Sequence, residues 1–222
     1  MNNSNTRKCM VVISGCLAFL ILSGCRQEAQ RDSGQMRIWI GTAYDVSGSM
    51  LKQKSTQWVP SYLDSLLAIL VNRGGTLAFG LISERSFEPL RRITLQKVEG
   101  RLDRRATINR SNRRAIQEFK NLMDGQLAIP RTAQFTDVKG SLDRFRLFFN
   151  EPQQRKETLK VLIFVSDGLN TVGKERQFDA DLTDDVTTLC VGTHPLVAKK
   201  LFADRCIMFE SIDAAIQYVK RM

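Results

Sequence analysis

The run Leu159-Lys160-Val161-Leu162-Ile163-Phe164-Val165 narrows the folds open to this chain more than any other stretch. It is β-branched and aromatic, and Ser166-Asp167-Gly168 closes it, so it reads as a strand. Met36 to Ala43 is nearly continuous in apolar residues, as expected of a strand covered on both faces. Thr76 to Ser83 and Val186 to Gly192 read as further strands, Leu90 to Leu95 as an edge strand, and Cys206 to Phe209 as a last one.

Helical spacing fills the gaps between them. Trp58, Val59, Tyr62, Leu63, Leu66, Leu67, Leu70 and Val71 recur at that spacing, with Pro60 in the first turn and Gly74-Gly75 as the stop. A helix over Asn112 to Met123 presents Ile116, Phe119, Leu122 and Met123 as its inner face, and Asp124-Gly125 ends it. Asp137 or Thr136 caps a helix with Val138, Leu142, Phe145, Phe148 and Phe149 inward. A short helix lies near Leu196 to Phe202, and a terminal one starts near Ser211. Strands alternating with helices predict a doubly wound α/β fold: a mainly parallel sheet, helices on both faces and one antiparallel edge strand. In such folds ligands bind beyond the C-terminal strand ends, where strand order reverses.

Oxygen-bearing residues gather at those ends. Asp45, Ser47 and Ser49 alternate just after the first strand, on a bend eased by Gly48. Asp167 follows the strand over 159–165, and Thr136 lies in the loop before the helix leading into it. Carboxylate and hydroxyl oxygens are the donors a hard divalent cation prefers. A simple turn or cap at each position is the plainer reading. An EF-hand-like loop from Asp45 would need Glu at its twelfth position, which is Thr56. A hydrolase triad lacks a Gly-x-Ser-x-Gly elbow, and the single histidine, His194, precedes Pro195.

The N-terminus sets the compartment. Arg7 and Lys8 precede an uncharged run from Cys9 to Leu22, too short for a comfortable span and of signal-peptide length. It ends in Leu22-Ser23-Gly24-Cys25, which resembles the lipobox of bacterial lipoproteins. That resemblance implies cleavage after residue 24 and a lipid on Cys25. It also implies a protein of the cell envelope facing outside the cytoplasm, with the outer membrane favoured in a Gram-negative host because Arg26 is not Asp. The organisation expected is a signal peptide over 1–24, a polar tether over 25–35 and one domain over 36–222. Net charge is +10 for the whole chain and about +8 without the signal. Outside the cytoplasm that charge points away from nucleic acid and toward anionic surfaces or acidic partners.

From Met36 onward the chain resembles a von Willebrand factor type A domain with a metal-ion-dependent adhesion site. Asp45-x-Ser47-x-Ser49 matches the family's first motif, Thr136 the second and Asp167 the third; Gln134 and Phe135 replace the glycines common before that Thr. The resemblance implies that Ser47 and Ser49 bind a cation through their hydroxyls. Thr136 would bind directly or through water, and Asp45 and Asp167 directly or by holding waters. Mg²⁺ is the expected ion, with Mn²⁺ or Ca²⁺ as alternatives. An open coordination position would take a carboxylate from a partner protein.

The expected function is therefore a lipid-anchored adhesion or protein-interaction module, not an enzyme. A scaffold subunit of an envelope complex with a structural or degenerate site is the alternative, and a metal-dependent phosphoryl-transfer or hydrolytic enzyme is third. Residues 84–114 are rich in arginine and read as an exposed insertion able to meet an anionic surface or acidic partner. Cys190 and Cys206 are expected as two buried thiols, because an offset of several residues between parallel strands exceeds disulfide reach.

Overall fold

The computed structural model describes residues 36–50, 53–84, 86, 88–128, 135–152, 158–172, 178 and 180–222, which all belong to the unit Met36–Met222. The signal segment, Cys25, the tether and Gln134 lie outside the described residues.

Six strands form one sheet: β1 Arg37–Asp45, β2 Gly75–Ile82, β3 Arg91–Leu95, β4 Thr158–Val165, β5 Val186–Val191 and β6 Cys206–Phe209. Five helices accompany them: α1 Pro60–Arg73, α2 Leu102–Leu127, α3 Val138–Phe149, α4 Pro195–Phe202 and α5 Ile212–Arg221. Strand order is β3-β2-β1-β4-β5-β6. Only β3 runs antiparallel, against β2. Both β2 and β4 flank β1, so the order of connection reverses beside β1, between it and β4.

The side-chain period of two splits the core into two layers. On β4, Val161, Ile163 and Val165 join Leu66 and Leu70 of α1, Phe119 of α2 and Ile216 of α5. Leu162 and Phe164 face the other way, toward Phe145 and Phe149 of α3 and Phe202 of α4. The α/β architecture read from the alternation of elements is the one present. α3 lies close on the sheet because glycines leave room: a Cβ on Gly41 would sit 2.8 Å from Cδ1 of Phe145. At the start of α3 the Asp137 carboxylate accepts the Gly140 N–H at 2.9 Å. Asp137→Ala is expected to cost about 1 kcal/mol, read as an earlier midpoint in urea unfolding; an unmoved midpoint contradicts this role.

Two expectations are corrected. The helix predicted over 112–123 runs from Leu102 to Leu127, ten residues earlier and through Gly125, and Leu122, expected on its inner face, is exposed. Arginine is a good helix former, but the arginine-rich part carries almost no apolar stripe, so periodicity does not reveal it. Gly125 is tolerated because buried Phe119 and Met123 hold the same helix to the core. Cys190 and Cys206 are joined as a disulfide, with Cα atoms 6.3 Å apart. β6 begins opposite Thr188, so the two cysteines are offset by two residues and not by several.

Candidate functional site

Asp45 is the last residue of β1 and is 1% exposed. Its Oδ1 accepts the Ser47 N–H at 2.8 Å, a local turn that Asp makes readily. Its Oδ2 accepts the Ser166 hydroxyl at 2.6 Å. Ser166 directly follows β4, which lies beside β1 in the sheet, so the strand pairing itself delivers that hydroxyl. The position of Ser166 is fixed in turn: its N–H bonds the Val191 carbonyl, and its own carbonyl accepts the Thr193 hydroxyl at 2.6 Å.

A second chain of oxygens runs alongside. Ser47 Oγ and Ser49 Oγ are 3.0 Å apart, and the Ser49 hydroxyl donates to Asp167 Oδ2 at 2.8 Å. The other Asp167 oxygen accepts the Leu169 N–H. Four of the five residues singled out as cation ligands in the sequence, Asp45, Ser47, Ser49 and Asp167, thus meet where strand order reverses. The fifth, Thr136, is buried one loop away. Its N–H donates to Thr171 Oγ1 at 2.7 Å, its hydroxyl lies 3.3 Å from the same oxygen, and its carbonyl accepts the Thr171 N–H. The Val138 N–H donates to Asn170 Oδ1. Thr136 is therefore held against the loop that carries Asp167, through Asn170 and Thr171.

Burial pushes the Asp45 carboxyl above the usual range, and the charge of Asp167 adds to this. Hydrogen bonds from Ser166 and Ser47 pull the other way without winning. The hydrogen bonds to Asp45 named above come from neutral groups. A buried carboxylate supported this way is stabilised by a cation. The donor set is all oxygen, and among the described residues no three His, Cys, Asp or Glu side chains come together. That chemistry fits a hard ion such as Mg²⁺ and not a soft one. The residues available to hold it are Asp45, Ser47, Ser49 and Asp167, with Thr136 adjacent.

Ser166, Asn170 and Thr171 were not assigned from sequence. Ser166 stands beside Asp167, but its role depends on which strand neighbours β1. His194 caps α4, accepting the Leu196 N–H at 3.3 Å. Beside the cluster lies an open groove of about 560 Å³ bordered by Asp167, Leu169, His194, Val197, Met208 and Glu210. Among the described residues no helix is long and apolar enough to cross a membrane.

No family model matches the chain, and no curated protein matches it. Among solved structures it is similar to a von Willebrand factor type A protein from Catenulispora acidiphila, at 16% identity over 85% of this chain and 42% of that one, with a TM-score of 0.48. It is similar to the manganese-loaded TRAP protein of Plasmodium vivax, at 15% identity over 84% of this chain and 73% of that one, with a TM-score of 0.44. It is also similar to proximal thread matrix protein 1 of the mussel byssus, at 13% identity over 84% of this chain and 47% of that one, with a TM-score of 0.45. The chain thus spans less than half the length of two of these three.

Proposed function

We propose that this protein is a lipid-anchored interaction module of the bacterial envelope that grips an acidic group of a partner protein through a divalent cation. The observation that carries this reading is the pairing of buried Asp45 with Asp167 and two serine hydroxyls at the switch point of the sheet. In this reading the Ser47 and Ser49 hydroxyls hold Mg²⁺, and Asp45 and Asp167 hold it directly or through waters. When bound, the ion supplies a positive field that two carboxylates only partly neutralise, so it attracts a third from the partner. Ser166 keeps Asp45 aimed at the site, and Asn170 and Thr171 keep Thr136 beside it. Residue Cys25 carries the lipid, and the protein faces outside the cytoplasm. The reading assigns no catalytic residue.

Capture from an envelope extract tests it. The protein is expected to retain its partner with Mg²⁺ or Mn²⁺ and release it in EDTA while its circular dichroism stays unchanged. Retention in EDTA contradicts cation-mediated capture and favours a scaffold with a structural or degenerate site. One observation supports that second reading: the hydrogen bonds among Ser47, Ser49 and Asp167 already close the cluster. Phosphoester hydrolysis lost in Asp45→Ala favours the third reading, an enzyme. The anchor has its own check. Replacing the signal and Cys25 by a cleavable secretion signal and Ser is expected to release the protein from membranes, and unchanged sedimentation contradicts the lipid.

A further inference from the structure

Parallel strands give the unit two unlike ends. The oxygen cluster occupies the C-terminal ends of β1 and β4. The opposite end is marked by Arg37, whose partner on β4 is Thr158, and by Gly75, which pairs with Ile38 and Leu95. There the chain enters the unit from residues 1–35.

Helix α2 is fastened at this second end. The Asn112 side chain donates to the Gln96 carbonyl at 2.8 Å and accepts the Gln96 N–H at 3.2 Å, just past the end of β3. After Asn112 the helix climbs along the core through Phe119 and Met123. The chain then reaches Asp137, whose N–H bonds Ser83 beyond the C-terminal end of β2. Before Asn112 the helix extends the other way, past β3. The ten residues from Leu102 rise about 15 Å. Ile108 is the first buried residue of the helix, residues 101–107 are all exposed, and Leu102 is 81% exposed.

This projecting part is strongly basic. Arg101, Arg104, Arg105, Arg110 and Arg113 form no ion pair among the described residues, and only Arg114 is matched, by Glu118. Asp103 is the one acid from 101 to 114. Cations around a helix N-terminus oppose its dipole, so the dipole does not account for them. A guanidinium fork suits phosphate, which it can bind through two hydrogen bonds.

We propose that the arginine-bearing half of α2 is a docking face for an anionic phospholipid bilayer, which turns the cation-site end away from the membrane. This rests on the lipid-anchor reading. Residues 25–35 number eleven and extend at most about 40 Å, so the end entered by the chain stays near the bilayer. Salt screening confines a useful charge contact to about 8–10 Å, and the projecting helix is the part that closes the gap.

The test uses the full lipidated chain on vesicles of phosphatidylcholine, alone or mixed with phosphatidylglycerol, with amide hydrogen exchange as readout. Exchange over 101–114 is expected to slow only on the anionic vesicles and to recover in high salt and in R101E/R104E/R105E. Exchange over 45–50 is expected to match on both. Each arginine near such a surface is worth roughly fivefold in binding, so the triple variant, which reverses three charges, loses at least on the order of a hundredfold. Equal exchange over 101–114 on the two compositions, or slowing that survives in the variant, overturns the docking face. Flotation separates the two readings. Protein that floats on phosphatidylcholine without lipid-dependent slowing keeps the anchor and loses the docking face. Protein that floats only with phosphatidylglycerol does the reverse, and protein that floats on neither loses both. The variant's melting temperature is measured alongside and is expected not to fall, because these arginines are exposed and acids at a helix N-terminus suit its dipole.

Discussion

Asp45→Asn is expected to abolish divalent-cation binding and, in cation-free protein, to raise the melting temperature. The two effects share one cause. Asp45 is buried, and burial holds its carboxyl above the usual range, so its ionised form is disfavoured in the folded state. For a carboxyl with a raised folded pKa, the folded state binds the proton more tightly than the unfolded state. Stability then falls as pH rises from the unfolded value through the folded one, and the whole penalty is present above it. Asparagine removes that penalty while its oxygen still accepts the Ser47 N–H. Each kcal/mol recovered raises the midpoint of a domain this size by about 2–4 °C. Loss of one of two anionic ligands weakens cation binding, because the charge count of the ligands sets the affinity. Thermal melts with and without Mg²⁺ show both: wild type gains stability from the ion, and the variant starts higher and gains nothing. A variant that melts lower than wild type without the ion contradicts the account of Asp45 as a disfavoured buried charge.

The second large effect is on the scaffold. Phe145 is fully buried at the centre of the layer between α3 and the sheet, against the bare Cα of Gly41. Phe145→Ala removes the whole ring, at about 3–5 kcal/mol, a large part of the roughly 5–15 kcal/mol that holds a domain together. The midpoint is expected to fall by about 6–20 °C. Leu147, on the same helix, is 66% exposed, and Leu147→Ala is expected to stay within about 0.5 kcal/mol of wild type. Equal losses in the two variants contradict the packing described. α3 also starts at Asp137, next to Thr136, so loosening it disturbs the edge of the site.

What was legible in the sequence, and what was not, follows the range of the interactions. Asp45, Ser47 and Ser49 alternate directly after a buried strand, and Asp167 follows another, so local pattern alone places them at strand ends. The sheet order then brings those ends together. Ser166 escaped because its bond to Asp45 spans 121 residues and depends on β1 and β4 being neighbours. Thr136 was found by position in the chain, yet the residues that hold it, Asn170 and Thr171, lie more than 30 residues on. The first half of α2 was invisible to periodicity because it buries almost nothing. The disulfide turned on where β6 begins opposite β5, at Thr188, a pairing between separate segments of the chain.

The central claim, that these four side chains hold one hard divalent cation, is tested most directly by Mn²⁺ titration followed by electron paramagnetic resonance. Wild type is expected to bind one ion per chain, displaced by excess Mg²⁺, and Asp45→Asn and Asp167→Asn to bind none in the same range. No bound ion in folded wild type, or one bound equally well by both variants, would contradict it.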